Sequence, residues 1–497
     1  MAKQNRTNTL SRGATRLCET VVRANWNRPA CILPVLMLLG LSLRVFGAAF
    51  APNMFYPDEI FQTLEPAHRL AFGFGVVTWE WRTGIRSWAL PEVLSFVMRA
   101  TSRFTKGSFG YLFATEVLLS IISLTCIWFA YKWAEKVCGR AAALISASTA
   151  TIWYSLVYFG PKASYETVST HFLLPGLYLS TFAGVKYPRL RLIAAGLCYG
   201  IAGCLRVQLI PAIVVGLYWG YRYAARKRCQ YIVIGLCIPA AAFGLIDLAT
   251  WHGLFVSFSR YFFVNVIEGR SKLYGVEPWY WYLLQIVPLF GPLLVPVLVG
   301  ARKSLPLTSL IVVVIVSHSF LAHKELRFIY TIVPLCIALT GIGCVEIARW
   351  FSEDHSARWN ARQIAFTSLV LCTCTSIFLG LWWEEWTQDR GVLVSMLQLS
   401  REDNICGVGL VGVHWSLSGG YTYLHKAVPI VPLDDESDAE RSRQIVNVLI
   451  TSGTMATPVA DFRLQQCNSG TCIYRRDGWC AAAGSRELNL TLRELNE

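Results

Sequence analysis

The chain has 497 residues, of which 54% are hydrophobic and only 15% are charged, and its formal net charge is +14. Soluble domains average roughly 45–50% apolar and 25% charged residues, so this composition excludes an ordinary soluble protein and indicates a multi-pass membrane protein. Membrane orientation explains the basic residues better than a nucleic-acid partner does, because they lie in short clusters between apolar blocks, as the positive-inside rule expects.

The N-terminal segment, residues 1–29, is basic, with six Lys or Arg residues and one acid, Glu19. An apolar block from Ala30 to Pro52 follows, which is too long for a typical signal-peptide core and does not end in an A-x-A-like cleavage site. We interpret this block as an uncleaved first membrane span. Residues 1–29 then form a cytoplasmic N-terminus, and the segment after Pro52 faces the lumen or the periplasm.

The first outer loop, residues 53–109, concentrates acids, bases and tryptophans directly after the first span. Pro57 disfavours helix at the residue before it, and apolar residues then recur at helical spacing. We therefore expect Asp58 and Glu59 at the start of a short helix, where the helix dipole favours charged carboxylates. A catalytic loop would have this composition, and so would a turn in which the two acids only cap the helix.

Further apolar blocks follow along the chain, and a membrane span needs roughly 20 such residues. The block Arg191–Tyr221 is too long for one span and has Arg206 and Pro211 in its middle, which predicts two short spans or one broken helix. The total is therefore ten or eleven spans, and eleven would place the C-terminal tail on the same side as the Asp58 loop. The other blocks are Gly110–Tyr131, Arg140–Phe159, Thr167–Val185, Tyr231–Thr250, Trp279–Gly300, Leu305–Leu321, Phe328–Ala348 and Ile364–Trp383.

The segment from Trp251 to Pro278 is rich in aromatic residues and carries several charges. Tryptophan and tyrosine at the edge of a span are usually interfacial anchors. Next to the first outer loop, these residues could instead line an entrance for a lipid.

A second cluster of ionisable residues lies in the sequence SHSFLAHKELRF, residues 317–328, between two apolar blocks. Charges at a membrane boundary are costly and by default indicate a function, and Lys with Arg can bind a phosphate. The alternative is a plain interhelical turn whose bases mark the cytoplasmic side. The cluster consists of His323, Lys324, Glu325 and Arg327.

Two isolated features support a buried polar site: Arg206 within the block Arg191–Tyr221, and the segment from Pro161 to Glu166 at the end of another block. Arg206 could also extend its charged end to the membrane interface, and Glu166 could simply cap the next span.

The tail, residues 384–497, has no segment long enough to span a membrane. Gly407–Val413 and Val428–Val431 are typical of short buried strands, which predicts a small extramembrane α/β domain. Its four cysteines are an even number, which suits an oxidising compartment, and we expect at least one disulfide among the last three. No cysteine or histidine cluster has zinc spacing, so no metal is expected. The cysteines are Cys406, Cys467, Cys472 and Cys480.

Several motifs occur together and in one order: Pro57-Asp58-Glu59, Gln62-x-Leu64-Glu65-x-Ala67-His68, Thr78-Trp79-Glu80-Trp81 with Arg86-Ser87, and His323-Lys324-Glu325-Leu326-Arg327-Phe328. With these motifs the chain resembles the polyprenyl-phosphate-mannose-dependent mannosyltransferases, which include the glycosylphosphatidylinositol (GPI) mannosyltransferases and the ER alpha-mannosyltransferases of N-glycan assembly. Within this family it is most similar to the enzymes that add the third GPI mannose, or to a bacterial relative. The resemblance covers roughly residues 43–397.

The resemblance implies an all-α membrane protein with a GT-C helical bundle, residues 30–383, and the extramembrane tail. The implied activity is transfer of mannose, with inversion and without a cofactor, from polyprenyl (dolichyl) phosphate mannose to a lipid-linked glycan or GPI-type acceptor. The active site would face the ER lumen in a eukaryote or the periplasm at a bacterial inner membrane. The protein's partners would be these two lipids and the surrounding membrane lipids.

The resemblance also implies roles for the motif residues. Asp58, with Glu59 adjacent, would be the general base that deprotonates the acceptor hydroxyl. His323, Lys324 and Arg327 would stabilise the departing lipid phosphate. The remaining substrate-binding candidates are His68, Trp79, Glu80, Arg86, Glu166, Arg206 and Glu325.

Three alternatives stay open. A transporter or flippase of lipid-linked sugars also needs intramembrane charges, although the two halves of the chain show no internal similarity. A transferase of another polyprenyl-phosphate sugar would share the motifs. A non-catalytic scaffold is less compatible with two retained clusters of acids and bases.

Overall fold

The chain forms a bundle of apolar helices followed by a small mixed sheet. The computed structural model describes residues 32–50, 52–182, 188–223, 228–353, 361–457 and 459–481, so the predicted cytoplasmic N-terminus lies outside the described residues. The helices are α1 (Ile32–Phe50), α2 (Glu65–Phe72), α3 (Trp79–Thr83), α4 (Ala89–Ser102), α5 (Phe109–Ser123), α6 (Thr125–Cys138), α7 (Arg140–Ile152), α8 (Tyr154–Phe159), α9 (Tyr165–Thr181), α10 (Pro188–Leu205), α11 (Ile210–Tyr223), α12 (Cys229–Trp251), α13 (Val256–Phe262), α14 (Trp281–Phe290), α15 (Leu294–Ala301), α16 (Leu305–Ser319), α17 (Ile332–Glu353), α18 (Ala361–Leu381), α19 (Arg390–Leu399), α20 (Gly420–Leu424) and α21 (Glu436–Ser442).

Long apolar helices confirm the prediction of a multi-pass membrane protein. Judged by length and composition, five helices in the described ranges could cross a membrane, and a bent pair at residues 366–399 would make a sixth. Other predicted blocks form shorter helices, so the number of ten or eleven spans stays a prediction. The five are Ile32–Phe50, Phe109–Cys138, Cys229–Trp251, Trp281–Ala301 and Ile332–Phe351.

The long apolar block around Arg206 forms two helices separated by a break, which fits both sequence interpretations, two short spans or one broken helix. Helix α10 ends at Leu205, Arg206 has extended backbone with φ −143° and ψ 103°, and a 3₁₀ turn, Val207–Leu209, leads into α11. Pro211 is accommodated in the first turn of α11, where a missing N–H costs nothing. The break takes Arg206 out of the helix and places its side chain beside Glu166 at the start of α9.

The first outer loop contains the short helix expected after Pro57, which begins as a π-helical turn, Glu59–Leu64, and continues as α2. The N–H groups of Ile60 and Phe61 donate to the Pro57 carbonyl, at 3.0 and 2.9 Å. Within the described chain, the Asp58 side chain makes no hydrogen bond that caps this helix. The interpretation of Asp58 as a mere cap is therefore wrong.

The tail forms an α/β unit around five strands in the order β2-β1-β3-β5-β4. Strand β1 is parallel to β2 and β3, whereas β5 is antiparallel to β3 and β4. The two strands expected from the sequence correspond to β1 and β2. Disulfides join Cys406 to Cys480 and Cys467 to Cys472, which confirms the expected bridge. The strands are β1 (Val408–Val411), β2 (Ile430–Leu433), β3 (Val448–Ser452), β4 (Arg463–Asn468) and β5 (Thr471–Arg475).

Helix α20 of the tail docks on the first outer loop through Glu65. The fully buried Glu65 carboxylate accepts hydrogen bonds from the N–H groups of Val76, Tyr421 and Thr422, at 2.8, 3.1 and 2.8 Å. Gly420 has φ +59°, and a Cβ there would lie 2.9 Å from a Glu65 oxygen, so glycine is required. The tail therefore lies on the same side of the bundle as the Asp58 loop.

Candidate active site

A cavity of about 380 Å³ lies where the first outer loop meets the helix break at Arg206, the segment 317–328 and the tail. Burial of charged side chains here is costly unless each is paired, and the charged lining residues form ion pairs. The predicted site residues on its wall are Asp58, Trp79, Glu80, Arg86, Glu166, Arg206, His323, Glu325 and Arg327.

Arg327 joins the two sequence clusters, which are far apart in the chain. Its Nη2 donates to Oδ2 of Asp58, and its Nε donates to Oε2 of Glu325 at 2.5 Å. The Arg327 side chain is 7% exposed, whereas that of Asp58 is 34% exposed. The Arg327 guanidinium carbon also lies 4.3 Å from the centre of the Tyr56 ring, a cation–π distance. One buried guanidinium therefore fixes the carboxylate that remains accessible from the cavity.

Glu325 is held on its other side by His323, whose Nε2 lies 2.8 Å from Oε1 of Glu325. This hydrogen bond raises the pKa of His323. Burial opposes ionisation of Glu325, but Arg327 and His323 overcome it and hold the pKa of Glu325 below its usual range. Glu325 thus orients Arg327 in its ionised form.

A second ion pair on the cavity wall joins Glu80 and Arg86, whose Nη2 donates to Oε1 of Glu80 at 2.8 Å. The Gln62 amide donates to the same oxygen at 3.0 Å. Burial raises the pKa of Glu80, and Arg86 counteracts part of this effect. Trp79, next in sequence, stacks with the Arg270 guanidinium carbon 3.9 Å from its ring centre. This wall therefore offers an aromatic face beside hydrogen-bonding groups.

The third pair joins Glu166 and Arg206 at the end of the cavity nearest the helix break. Nη1 of Arg206 donates to Oε1 of Glu166, and the Ser164 hydroxyl donates to the other oxygen. The Arg206 guanidinium carbon lies 5.1 Å from the centre of the Phe328 ring. Both side chains are buried. Arg206 therefore forms a buried ion pair with Glu166 and does not extend its charged end to the membrane interface.

Three of the predicted residues do not line the cavity. Glu59 turns away and pairs with Lys162, with 3.0 Å between Nζ and Oε1, and burial raises its pKa. His68 is fully buried between the Phe74 carbonyl and His425 of the tail. Lys324 donates its ammonium protons to the carbonyls of Leu321 and Glu277. The side chains of these three residues are therefore engaged outside the cavity.

Several lining residues were not singled out from the sequence. Gln62 belongs to a motif of the family resemblance, and His318 belongs to the segment 317–328, so the sequence already marked their neighbourhood. Trp415 and Ser416 belong to the tail, where Trp415 packs edge-on against Phe61 with ring centres 4.9 Å apart. No local pattern indicates which turn of a distant domain docks on a loop.

Solved structures with the same architecture confirm the predicted GT-C fold. The structure of ArnT from Cupriavidus metallidurans bound to undecaprenyl phosphate matches 92% of this chain and all of that chain, with a TM-score of 0.59 and 11% sequence identity. The apo structure of the same protein gives a TM-score of 0.55 and 12% identity over 89% of this chain and 97% of that chain.

Sequence comparison identifies the family. GPI alpha-1,2-mannosyltransferase 3 of Xenopus laevis is 26% identical over 352 residues, which are 63% of this chain and 61% of that protein. GPI mannosyltransferase 3 of Drosophila melanogaster is 24% identical over 434 residues, which are 82% of this chain and 73% of that protein. The match thus spans about three fifths of the Xenopus protein's length. The sequence profile of the Alg9-like mannosyltransferase family matches residues 35–400, and the chain therefore belongs to that family.

Proposed function

We propose that the protein is a membrane mannosyltransferase that moves mannose from a polyprenyl (dolichyl) phosphate to a hydroxyl of a lipid-linked glycan, with a GPI-type glycan as the favoured acceptor. The observation that carries this proposal is the cavity of a family member in which an accessible carboxylate, Asp58, lies against a buried guanidinium, Arg327. Family membership favours this function over a lipid-sugar transporter. Relatives named GPI mannosyltransferase 3 support the choice of acceptor.

In the proposed mechanism, Asp58 accepts the proton of the acceptor hydroxyl as its oxygen attacks the anomeric carbon. The carbon–oxygen bond to the phosphate breaks on the opposite face, so the anomeric configuration inverts. Protonation removes the negative charge of Asp58 at the moment when the leaving phosphate gains one. Arg327, which is held in place by Glu325, remains charged and can compensate the new negative charge without solvent reorganisation.

We propose that the cavity faces the ER lumen or the periplasm. The basic N-terminus and the two disulfides of the tail support this orientation, because disulfides persist in oxidising compartments.

The test is a transfer assay with the purified full-length protein in detergent, labelled dolichyl-phosphate mannose and a panel of lipid-linked acceptors that includes a GPI precursor. We expect a mannosylated lipid, identified by mass spectrometry, and no product from GDP-mannose alone. Absence of any mannosylated product from a folded protein that binds the donor would contradict the proposal.

A further inference from the structure

We propose that Arg206 and His318 form the donor's glycosyl-phosphate subsite, with Arg206 binding the phosphate and His318 accepting a hydrogen bond from a hydroxyl of the attached sugar. This inference rests on the proposed function and specifies where its donor binds. The two residues come from different elements, the break between α10 and α11 and the last turn of α16, and both line the cavity.

Arg206 presents an unused hydrogen-bonding edge. Only its Nη1 is engaged, by Glu166, and neither Nε nor Nη2 has a hydrogen-bond partner among the described residues. In a guanidinium group, Nε and Nη2 lie on one edge and donate in parallel, which is the geometry that binds two oxygens of a phosphate. Arg206 is 6% exposed, and an unpaired buried donor is costly. A bound oxyanion on this edge removes that cost.

The other cationic groups near the cavity are more fully engaged. Arg327 binds two carboxylates, and Lys324 donates to two carbonyls. Arg86 keeps one unpartnered nitrogen, Nε, and its Nη2 is committed to Glu80. Arg206 is thus the cavity arginine that offers a complete two-donor edge.

His318 offers an acceptor rather than a donor. Its Nδ1 lies 2.8 Å from the Val314 carbonyl, which can only accept, so Nδ1 carries the proton. In the neutral ring, Nε2 is then a lone-pair acceptor, and this buried atom has no partner within the described part of the chain. A sugar hydroxyl is a donor of matching chemistry. A glycosyl phosphate places such a hydroxyl close to its phosphate oxygens.

The subsite lies next to the proposed reaction centre. Both arginines lie against the Phe328 ring, whose centre is 5.1 Å from the Arg206 and 5.4 Å from the Arg327 guanidinium carbon. A phosphate bound to Arg206 would therefore lie near the Arg327–Asp58 pair on the same cavity wall. Arg206 would bind the donor before the reaction, and Arg327 would stabilise the negative charge that develops on the phosphate during transfer.

The experiment measures binding, so that it is independent of turnover. Short-chain polyprenyl phosphate and its mannosyl ester are titrated separately into the detergent-solubilised protein, with a thermal-shift readout. Arg206→Lys keeps a cation against Glu166 but loses the two-donor edge, and we expect it to weaken both ligands roughly 10- to 100-fold. His318→Phe should weaken only the mannosyl ester, because the sugar-free phosphate has no hydroxyl to lose. Arg302→Lys, on an exposed arginine outside the cavity, is the matched control.

Unchanged affinity of Arg206→Lys for polyprenyl phosphate would overturn the phosphate assignment. Equal loss of both ligands in His318→Phe, or loss of neither, would overturn the sugar contact. The double variant Arg206→Gln, Glu166→Gln removes both charges together and should reproduce the loss if the lysine variant fails to fold. Phosphatidate in the same detergent tests the preference for a glycosyl phosphate, and equal affinity of the unmodified protein for phosphatidate and for the mannosyl ester would overturn the sugar contact. Intact binding without transfer would leave the subsite standing and reject the proposed reaction.

Discussion

We propose Asp58 as the general base, and within the described chain its side chain makes no hydrogen bond that caps its helix. Replacement by Asn preserves size and hydrogen-bonding capacity but not basicity. We expect Asp58→Asn to insert and fold normally and to reduce kcat by roughly 10²–10⁴-fold, the usual contribution of general acid–base catalysis. The measurement is turnover at saturating donor and acceptor, with thermal unfolding as the check on folding. Glu92→Gln, on an exposed carboxylate of the same outer loop, should keep wild-type turnover. A fully active Asp58→Asn enzyme would place the base elsewhere.

Arg327 uses two nitrogens of a planar group for two carboxylates, which lysine cannot reproduce. We therefore expect Arg327→Lys to lower kcat more than it raises the KM for the donor, with a loss of about 1.5–3 kcal/mol in transition-state stabilisation. Arg327→Ala should also lower the unfolding temperature, because it leaves Glu325 buried without its cation. Steady-state kinetics over a range of donor concentrations distinguish the two parameters. Wild-type kinetics in the lysine variant would show that the cluster only sets topology.

The sequence predicted the two clusters of ionisable residues that meet at the cavity, but not which side chains within each cluster face it. Glu59 follows Asp58 directly, yet its side chain points in another direction, and its carboxylate forms an ion pair with Lys162. His68 belongs to a motif of the resemblance but serves the contact with the tail. Both outcomes depend on residues far along the chain, which local patterns do not reveal.

At the scale of elements, α2 contacts the end of α20 through a pair of neutral histidines. His68 donates from Nδ1 to the Phe74 carbonyl at 3.1 Å, so its Nε2 accepts from Nδ1–H of His425 at 3.0 Å. Burial, reinforced by His425, lowers the pKa of His68 to about 3, and burial also lowers the pKa of His425. His68 cannot take a proton on Nε2 without losing this hydrogen bond.

This contact makes stability depend on pH. Between about pH 6.5 and 3, His68 is protonated in the unfolded chain but neutral in the folded protein. Its contribution to the free energy of unfolding is therefore fully present above pH 6.5 and is lost as the pH decreases. The slope is up to about 1.4 kcal/mol per pH unit for each histidine. We expect the unfolding temperature in detergent to drop between pH 7.5 and 5, and His68→Gln to flatten that dependence. His414→Gln, on an exposed histidine of the tail, should retain it; a wild-type slope in His68→Gln would contradict this account.

Helices and strands could be predicted from the sequence where a local run of apolar residues indicates them. The helix break was expected because Arg206 and Pro211 interrupt an overlong apolar block, and apolar runs gave the helices of the bundle. The strands β3, β4 and β5 were not predicted. Strand β4 is mostly exposed and lacks an apolar run like that of β1. Strands β3 and β5 pair with each other and with further strands of the sheet, and such pairing between distant segments is not visible in a local sequence pattern.

For the whole molecule, the structure places the tail and the Asp58 loop on one face, and we predict that this face is lumenal or periplasmic. Cell-impermeant thiol reagents should label the tail cysteines only after reduction, and in sealed vesicles only when this face is outward. A tag on the N-terminus should be accessible from the opposite side. Free tail thiols that react from the cytoplasmic side without reduction would contradict both the disulfides and the orientation.

The contact between Glu65 and the tail has a consequence for how the protein is made. The carboxylate and the N–H groups of Tyr421 and Thr422 that it binds are more than 350 residues apart in sequence. During translation, Glu65 therefore leaves the ribosome long before its partners exist, and burying it alone would cost several kcal/mol. The cavity wall formed by Phe61 and Trp415 can be completed only after the tail has been synthesised. We therefore expect the proposed transfer activity to appear only after the whole chain has been synthesised, and we expect truncation before residue 420 to abolish it even with every motif of the membrane region intact.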